Sequence, residues 1–284
     1  MRAARLDAFA ASRGPAWSAA AVVLATLGCT VPGPKAQEQA TQALRRSFVA
    51  GAPLNAQVSA LVAGDPHGVR LILVHGTPGS ATGWNDYLLD PAPGMEMVAL
   101  DRPGFGRSAA FGALPSLDAQ AAAVAALLPG DGRRAVLLGH SLGGAIVARV
   151  AADHPTRIAA LVLLSASLDP ALEVIHPLQW VGAWAPVRWL LPRAVAHANA
   201  ELMALKPELE ALASLLPRIA APVFLVHGTR DDLVPLANVA YLQSRLSGAC
   251  SVTTLLLEGR NHFLPWNSAD LVRDAIRQAR DAAC

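Results

Sequence analysis

Short apolar runs alternate along most of the chain with longer segments whose apolar positions recur at helical spacing. Runs of this length, bounded by turn residues, are typical of buried strands. They predict strands at residues 58–63 (an edge strand), 69–74, 95–100, 135–138, 158–164, 222–227 and 251–257. The intervening spacing predicts helices at residues 116–128, 142–153 and 236–246 and from residue 266 onward. Strands that alternate with helices indicate right-handed βαβ crossovers, so we expect an α/β fold with a mainly parallel central sheet.

The N-terminal part of the chain interrupts this alternation. Three arginines precede an apolar run at residues 16–27, which is the arrangement of a secretory signal peptide. The run is shorter than the ~20 residues that a membrane-spanning helix needs, so residues 1–28 are predicted to be a cleaved signal. Residues 29–55 are rich in proline and polar residues at their start, and they are predicted to form a tether with one short helix at residues 37–49.

Residues 26–29 read Thr-Leu-Gly-Cys and resemble the lipobox of bacterial lipoproteins, although that family usually has Leu where this chain has Thr26. The resemblance implies that Cys29 is lipidated and becomes the first residue of the mature protein. It therefore implies an exported protein of the cell envelope, attached to the outer membrane or the periplasmic face through a lipid anchor. A freely secreted protein and an uncleaved membrane anchor remain alternatives.

The composition suits one large globular domain. Of the 284 residues, 53% are hydrophobic and 15% are charged, which is enough to build a sizeable core. Without residues 1–28, which hold three arginines and one aspartate, the totals of 23 basic and 21 acidic residues fall to 20 and 20. A neutral chain without a basic run gives no electrostatic reason to expect nucleic acid as a partner.

Besides Cys29, the chain has two cysteines, Cys250 and Cys284. In an oxidising compartment they could form a disulfide, and two unpaired thiols are the alternative. Their spacing does not match a metal-binding pattern, so no metal site is predicted.

The strongest chemical signal is Gly139-x-Ser141-x-Gly143, which lies between the predicted strand at residues 135–138 and the predicted helix after it. Glycine on each side of the serine allows a sharp turn from strand to helix without a Cβ clash. Such a turn holds the serine hydroxyl above the sheet, with the backbone N–H of Leu142 directed at the same place. Ser141 is therefore a candidate nucleophile, and a structural serine in a tight turn is the alternative.

Three further motifs follow predicted strands in the same way. They are His-Gly-Thr-Pro-Gly at residues 75–79, Asp-Arg-Pro-Gly-Phe-Gly-Arg-Ser at residues 101–108, and Gly-x-x-Asp-x-x-Val-Pro at residues 228–235. Together with Ser141 and with His262, which follows the last strand, they resemble the α/β-hydrolase superfamily over almost the whole mature chain. The resemblance implies the α/β-hydrolase fold, a mainly parallel sheet with helices on both faces.

The resemblance also assigns roles to individual residues. Ser141 corresponds to the nucleophile, Asp231 to the triad carboxylate and His262 to the general base, in the chain order that this superfamily uses. Asp232, one residue out of register, is the alternative carboxylate. The backbone N–H groups of Thr77 and Leu142 correspond to the oxyanion hole, where two preorganised donors stabilise the developing negative charge.

Several residues near these motifs are expected to have structural roles instead. His75 is interpreted as a residue that fixes its loop, and Asp101 and Arg102 as residues that hold the turn after their strand. His154 is expected to end a helix. His176 and His197 are not expected to act in catalysis.

Residues 166–216 break the alternation of strands and helices and are rich in Pro, Trp and Leu. An insertion at this place resembles the lid of the superfamily, so the hydrolase core is expected at residues 56–165 and 217–284. Candidates for the substrate pocket are Trp84, Trp180 and Trp184, each with core packing as the alternative.

The resemblance implies a serine hydrolase that needs no metal and no cofactor. Because the lid is nearly apolar, small-molecule carboxylic esters with uncharged or hydrophobic groups are the expected substrates. The motif at residues 75–79 also resembles proline iminopeptidases, but those enzymes hold a substrate amine with acidic lid residues. Cleavage of amides, thioesters or C–C bonds, acyl transfer to an alcohol, and a non-catalytic binding lipoprotein remain alternatives.

Overall fold

A computed structural model describes residues 41–108 and 112–284, and in this part of the chain eight strands form one sheet. The strands are β1 (Arg45–Ala50), β2 (Ala56–Gly64), β3 (Val69–Val74), β4 (Met95–Asp101), β5 (Ala135–His140), β6 (Ile158–Leu164), β7 (Val223–Gly228) and β8 (Val252–Leu257). The helices are α1 (Asn85–Leu89), α2 (Leu117–Ala125), α3 (Leu142–Asp153), α4 (Pro177–Ala183), α5 (Ala185–Arg188), α6 (Arg193–Ala213), α7 (Ala237–Arg245), α8 (Leu264–Asn267) and α9 (Ala269–Asp281).

The order of the strands across the sheet is β1-β2-β4-β3-β5-β6-β7-β8. β2 is antiparallel to both of its neighbours, whereas all pairs from β4 to β8 are parallel. This confirms the predicted α/β fold with a mainly parallel sheet. Because the parallel strands share one direction, their carboxyl ends meet at one edge, and loops that carry chemistry are expected there.

Both faces of the sheet are buried. In β3, Ile72 and Val74 belong to an apolar cluster that includes residues of α2, α3 and the C-terminal part of α6. Leu71 and Leu73, which alternate with them, belong to a second cluster that includes residues of α1 and α9. Strands that are covered on both faces are apolar at every position, which is why these strands are visible as continuous apolar runs.

The N-terminal boundary of the sheet differs from the prediction. The helix predicted at residues 37–49 is wrong for residues 45–49, which belong to β1 (Arg45–Ala50) and pair antiparallel with β2. Because β1 covers its outer side, β2 is not the edge strand that its sequence suggests. Strand formation at this position depends on pairing with the next strand, across residues 51–55, which overrides a local preference.

Residues 166–216 form the helical insertion that the sequence predicts, with α4, α5 and α6 as its main elements. The C-terminal half of α6 joins the core through Leu205, Leu209 and Leu212, all of which are buried. The insertion is therefore anchored to the first face of the sheet at its C-terminal end.

Cys250 and Cys284 form a disulfide, with their Cα atoms 5.9 Å apart and 34 positions between them in sequence. A cross-link over a loop of this length stabilises a fold by about 3–4 kcal/mol, mainly by restricting the unfolded chain. We expect the Cys250→Ser/Cys284→Ser variant to unfold at a lower urea concentration, with Cys29→Ser as a matched control. Equal stability with and without a thiol reductant would contradict this expectation.

The predicted signal peptide and the predicted lipidation site at Cys29 lie outside the described residues. Within the residues that the structure does describe, no helix has the length and apolar character needed to cross a membrane.

Candidate active site

Ser141 lies at the carboxyl edge of the sheet, in the turn between β5 and α3, with backbone angles φ 55° and ψ −127°. A positive φ is uncommon for a residue other than glycine and indicates local strain, which is often found at functional sites. The close approach of α3 to β3 at this turn requires glycine at position 143. A Cβ atom there would lie 2.4 Å from the carbonyl oxygen of Val74. Glycine at position 143 therefore allows the start of α3 to lie directly against the end of β3.

The loop after β3 runs directly beside this serine. A Cβ atom on Gly76 would lie 2.9 Å from the Cβ atom of Ser141 and 3.4 Å from its hydroxyl oxygen. Thr77 follows Gly76, and Leu142 is the first residue of α3, whose N–H has no acceptor within the helix. The structure thus brings the two predicted oxyanion-hole segments to the nucleophile candidate.

The structure pairs His262 with Asp231 through a hydrogen bond of 2.8 Å between Nδ1 and Oδ2. The other carboxylate oxygen, Oδ1, accepts the backbone N–H groups of Leu233 at 3.0 Å and Val234 at 2.8 Å. The Asp231 side chain is fully buried. The neighbouring Asp232 is exposed, so Asp231, and not the alternative carboxylate, is the partner of the histidine.

The surroundings of Asp231 keep it ionised. Burial on its own raises the pKa of this carboxyl, but the hydrogen bond and charge of His262 outweigh it and lower the pKa below its ordinary value. The N–H of Val234 and the nearby His227 ring act in the same direction. A charged carboxylate at this position can stabilise an imidazolium on His262.

His140, the residue before the candidate nucleophile, contacts His262 through a hydrogen bond and through its ring. Its Nε2 atom lies 2.9 Å from the carbonyl oxygen of His262, and the two ring centroids are 4.7 Å apart. Burial, followed by the charge of His262, lowers the pKa of His140 to about 3. His140 is therefore neutral at pH 7, and its Nε2–H donates the hydrogen bond, because a carbonyl oxygen can only accept.

Because three histidines are buried, we expect a marked loss of stability in acid. Burial is the main cause that lowers the pKa of His75, His140 and His227 in the folded protein. The unfolded chain takes up these protons below about pH 6.5, so it binds more protons than the folded protein and the free energy of unfolding falls as the pH falls. His140 alone accounts for about 2 kcal/mol at pH 5.

This expectation is tested by urea unfolding at pH 7 and pH 5. His140→Gln should reduce the difference between the two values, whereas substitution of the exposed His67 by Gln should leave it unchanged. An unfolding free energy that does not change between pH 7 and pH 5 would refute the assignment of neutral buried imidazoles.

A buried polar cluster joins the lid helix α6 to the loop beside the nucleophile. Glu201 accepts hydrogen bonds from Arg102 at 2.8 Å and 3.1 Å, from the hydroxyl of Thr77 at 2.5 Å and from the Gln120 amide at 3.0 Å. Arg102 also donates to the carbonyl oxygen of Gly76 at 2.9 Å. The side chains of Arg102 and Glu201 are 0% and 2% exposed, so this ion pair is fully removed from water.

This cluster adds to two interpretations from the sequence. Arg102 does more than hold the turn after β4, since it links the loop at Gly76 to α6. The predicted lid, nearly apolar in sequence, also contains the buried carboxylate of Glu201. Its carboxylate is fully engaged by Arg102 and Thr77, however, so it is not available to hold a substrate amine. Glu201 is the only acidic residue between positions 174 and 207, which is the signal that could have identified it.

His75 has the structural role that the sequence suggests. Its Nδ1 atom lies 2.7 Å from the carbonyl oxygen of Gly76, and its Nε2 atom accepts the N–H of Arg102 at 3.2 Å. His176 caps the start of α4, and His197 contacts the carbonyl oxygen of Gly104 at 2.9 Å.

The three tryptophans proposed for the pocket differ in their environment. Trp84 is 2% exposed and packs edge-on against Tyr87, with 5.6 Å between the ring centroids. It belongs to the second apolar cluster of the core. Trp180 and Trp184 on the lid are 62% and 65% exposed, so neither forms a buried pocket wall or a packed lid core.

Within the described residues, no three histidine, cysteine or acidic side chains lie close enough together to hold a metal ion.

Comparison with known proteins agrees with this fold and this arrangement of loops. A family model of the alpha/beta hydrolase fold matches residues 69–200. The non-heme chloroperoxidase of Streptomyces lividans is 32% identical over 244 residues, which are 70% of this chain and 87% of that protein. The chain belongs to the alpha/beta hydrolase fold family.

Two further proteins are similar over different spans. The pimeloyl-[acyl-carrier protein] methyl ester esterase of Citrobacter koseri is 40% identical over 98 residues, 34% of this chain and 37% of that protein. The crystal structure of a membrane phospholipase A, described as a bacterial virulence factor, has a TM-score of 0.65 and 23% identity. The match covers 92% of this chain and 96% of the phospholipase chain. At this identity the likeness concerns the fold.

Proposed function

We propose that this protein is a serine hydrolase that cleaves carboxylic esters with uncharged or hydrophobic groups through an acyl-enzyme on Ser141. The observation that carries the proposal is the 2.8 Å hydrogen bond between His262 and the buried Asp231, at the same edge of the sheet as the strained turn of Ser141. A nucleophile, a base and an oriented carboxylate on three separate loops are the components of acyl transfer.

The hydrogen bond to Asp231 determines which nitrogen of His262 acts as the base. A carboxylate can only accept, so Nδ1 of His262 carries a proton and the lone pair is on Nε2. In the first step Nε2 takes the hydroxyl proton of Ser141 while its oxygen attacks the ester carbonyl carbon. The oxyanion that forms receives the N–H groups of Thr77 and Leu142.

The same groups complete the reaction, with His262 first donating a proton and then accepting one. His262 returns its proton to the leaving alcohol oxygen as the C–O bond breaks, which leaves the acyl group on Ser141. A water molecule then attacks the acyl carbon while His262 takes its proton. His262 passes this proton to the oxygen of Ser141 as the bond to the acyl group breaks, which releases the acid and the free serine. The buried charge of Asp231 stabilises His262 each time it is protonated, after it takes the proton of Ser141 and after it takes the proton of water.

The test of this proposal is chemical labelling together with an ester assay on the full chain. We expect a fluorophosphonate probe to label Ser141 and p-nitrophenyl esters, from acetate to palmitate, to be hydrolysed. Both should be lost in Ser141→Ala but kept in Ser165→Ala, a matched control that also has a positive φ and follows a parallel strand. A folded protein that neither labels nor hydrolyses would favour a binding protein instead.

The same assay separates other reactions of this site. Labelling of Ser141 without ester hydrolysis would overturn the ester assignment and lead to amide, thioester and C–C substrates or to acyl transfer. Peroxide-dependent chlorination is a second candidate, favoured by the 32% identity to the chloroperoxidase. It would be detected as chlorination of an acceptor that requires hydrogen peroxide and chloride.

We also propose that the protein is exported and anchored through Cys29. The lipobox-like residues 26–29 support this, and so does the Cys250–Cys284 disulfide, since disulfides persist mainly in oxidising compartments. Incorporation of labelled fatty acid into the full chain, absent in Cys29→Ser, is the expected result. Incorporation that is unchanged in Cys29→Ser, or no incorporation at all, would contradict it.

A further inference from the structure

The lid carries an apolar surface that nothing in the described part of the chain covers. Trp180 on α4 and Trp184 directly after α4 are more than half exposed, and the segment that follows them ends in Trp189 and Leu190. We call this surface the lid ridge, and its members with their exposure are Leu178 (54%), Trp180 (62%), Val181 (51%), Trp184 (65%), Trp189 (78%) and Leu190 (85%).

The ridge is held outward by contacts on the opposite side of α4. Gln179 is buried, and its carbonyl oxygen accepts a hydrogen bond from Asn199 of α6 at 2.9 Å. A Cβ atom on Gly182 would lie 3.4 Å from the same Asn199 side chain. Because this face of α4 is already packed against α6, the tryptophans cannot turn inward without breaking these contacts. An accumulation of large exposed apolar side chains of this kind marks an interaction site.

The segment that carries the ridge contains arginine but no acidic residue. Residues 174–200 contain Arg188 and Arg193, both exposed, and no aspartate or glutamate. A surface that combines tryptophan and leucine with arginine suits the boundary between the headgroups and the acyl chains of an anionic bilayer. A symmetric pair of two copies would place the same cationic surfaces against each other, which is unfavourable.

The N-terminal part of the chain enters the sheet at β1. Arg45, at the start of β1, pairs with Leu61 of β2, which pairs with Ala99 of β4, and β1 runs from there towards the carboxyl edge. An extended segment from Cys29 to Arg45 spans at most about 55 Å. A lipid anchor at Cys29 and the ridge could therefore reach one bilayer at the same time.

We infer that the lid ridge docks on an anionic lipid surface, with the catalytic edge of the sheet facing the bilayer. For its catalytic consequence this inference rests on the proposed function, since ester substrates would then reach Ser141 from the lipid phase. The docking itself does not depend on hydrolysis. It can therefore be measured even in Ser141→Ala, and its failure is distinguishable from a failure of the proposed function.

The experiment measures binding of the full chain to lipid vesicles by co-sedimentation, in a Cys29→Ser background so that acylation does not contribute. The vesicles contain phosphatidylcholine alone or phosphatidylcholine with phosphatidylglycerol. We expect Trp189→Ser/Leu190→Ser to weaken binding at least about tenfold without changing hydrolysis of a soluble ester. Val49→Ser/Leu256→Ser, which removes two exposed apolar side chains from β1 and β8, is the matched control and should bind normally.

The charge contribution is tested separately. Arg188→Ala should weaken binding to vesicles with phosphatidylglycerol by about fivefold and have little effect on vesicles without it. Equal binding of the ridge variant and its control would overturn the inference. So would a ridge variant that no longer forms a dimer while the parent protein dimerises and does not bind vesicles, because the occupant would then be a second copy.

Discussion

Replacement of Asp231 by asparagine is expected to lower kcat on p-nitrophenyl esters by about 10⁴-fold while the fold stays intact. The asparagine Oδ1 atom can still accept the N–H groups of Leu233 and Val234 that the carboxylate now receives. Its amide, however, points N–H at Nδ1 of His262. The histidine must then accept at Nδ1 and carry its proton on Nε2, so it can no longer take the proton of Ser141.

The matched control is Asp232→Asn, which changes the same chemical group one residue along the chain. Asp232 is exposed, and the carboxylate that pairs with His262 is that of Asp231, so substitution of Asp232 should leave kcat unchanged. Comparable losses in the two variants would show that the charge of the loop, and not the hydrogen bond at Asp231, supports catalysis. Urea unfolding of both variants verifies that activity is lost without loss of folding.

Removal of the Glu201 carboxylate is expected to cost about 3–5 kcal/mol of stability, because it leaves the fully buried guanidinium of Arg102 without its counter-ion. The loss of acceptors for Thr77 and Gln120 adds unpaired donors to the same place. In Glu201→Ala we expect a lower urea midpoint and a lower kcat, since the loop that carries the oxyanion donor loses the contact that holds it.

Two further variants separate stability from catalysis. Glu210→Ala, an exposed position on the same helix, is the control and should change neither property. In Arg102→Leu/Glu201→Leu both charges are gone, so much of the stability should return, but Thr77 still lacks its carboxylate partner. A double variant with restored stability and low kcat supports a positioning role for Glu201. Full recovery of both stability and kcat would show that Glu201 contributes to folding alone.

The residues predicted for catalysis were identified from sequence because they lie in motifs that resemble those of a known superfamily, and each motif follows a predicted strand closely. Ser141 comes directly after β5, Asp231 lies three residues after β7, and His262 lies five residues after β8. Parallel strands bring such positions to one edge without any need to know the side-chain packing. The sheet itself was predictable for the same reason, since strands buried on both faces form continuous apolar runs.

Other features depend on pairing with another part of the chain and could not be obtained in this way. β1 contains Arg45, Arg46 and Ser47 and gains its conformation from pairing with β2. Glu201 is one carboxylate on a lid helix, and only the fold brings it to Arg102 and Thr77, 99 and 124 positions away. The support of His262 by His140 spans 122 positions and has no local pattern either.

The disulfide has a practical consequence for handling this molecule. Cys250 lies just before β8, at the amino ends of the parallel strands, whereas Asp231 and His262 follow the carboxyl ends. The disulfide therefore holds Cys284 at the amino ends of the strands, opposite the catalytic edge. A fusion or surface attachment joined after Cys284 would therefore leave from the side of the molecule farthest from Ser141, and immobilised protein would present its catalytic edge and its lid toward the solution.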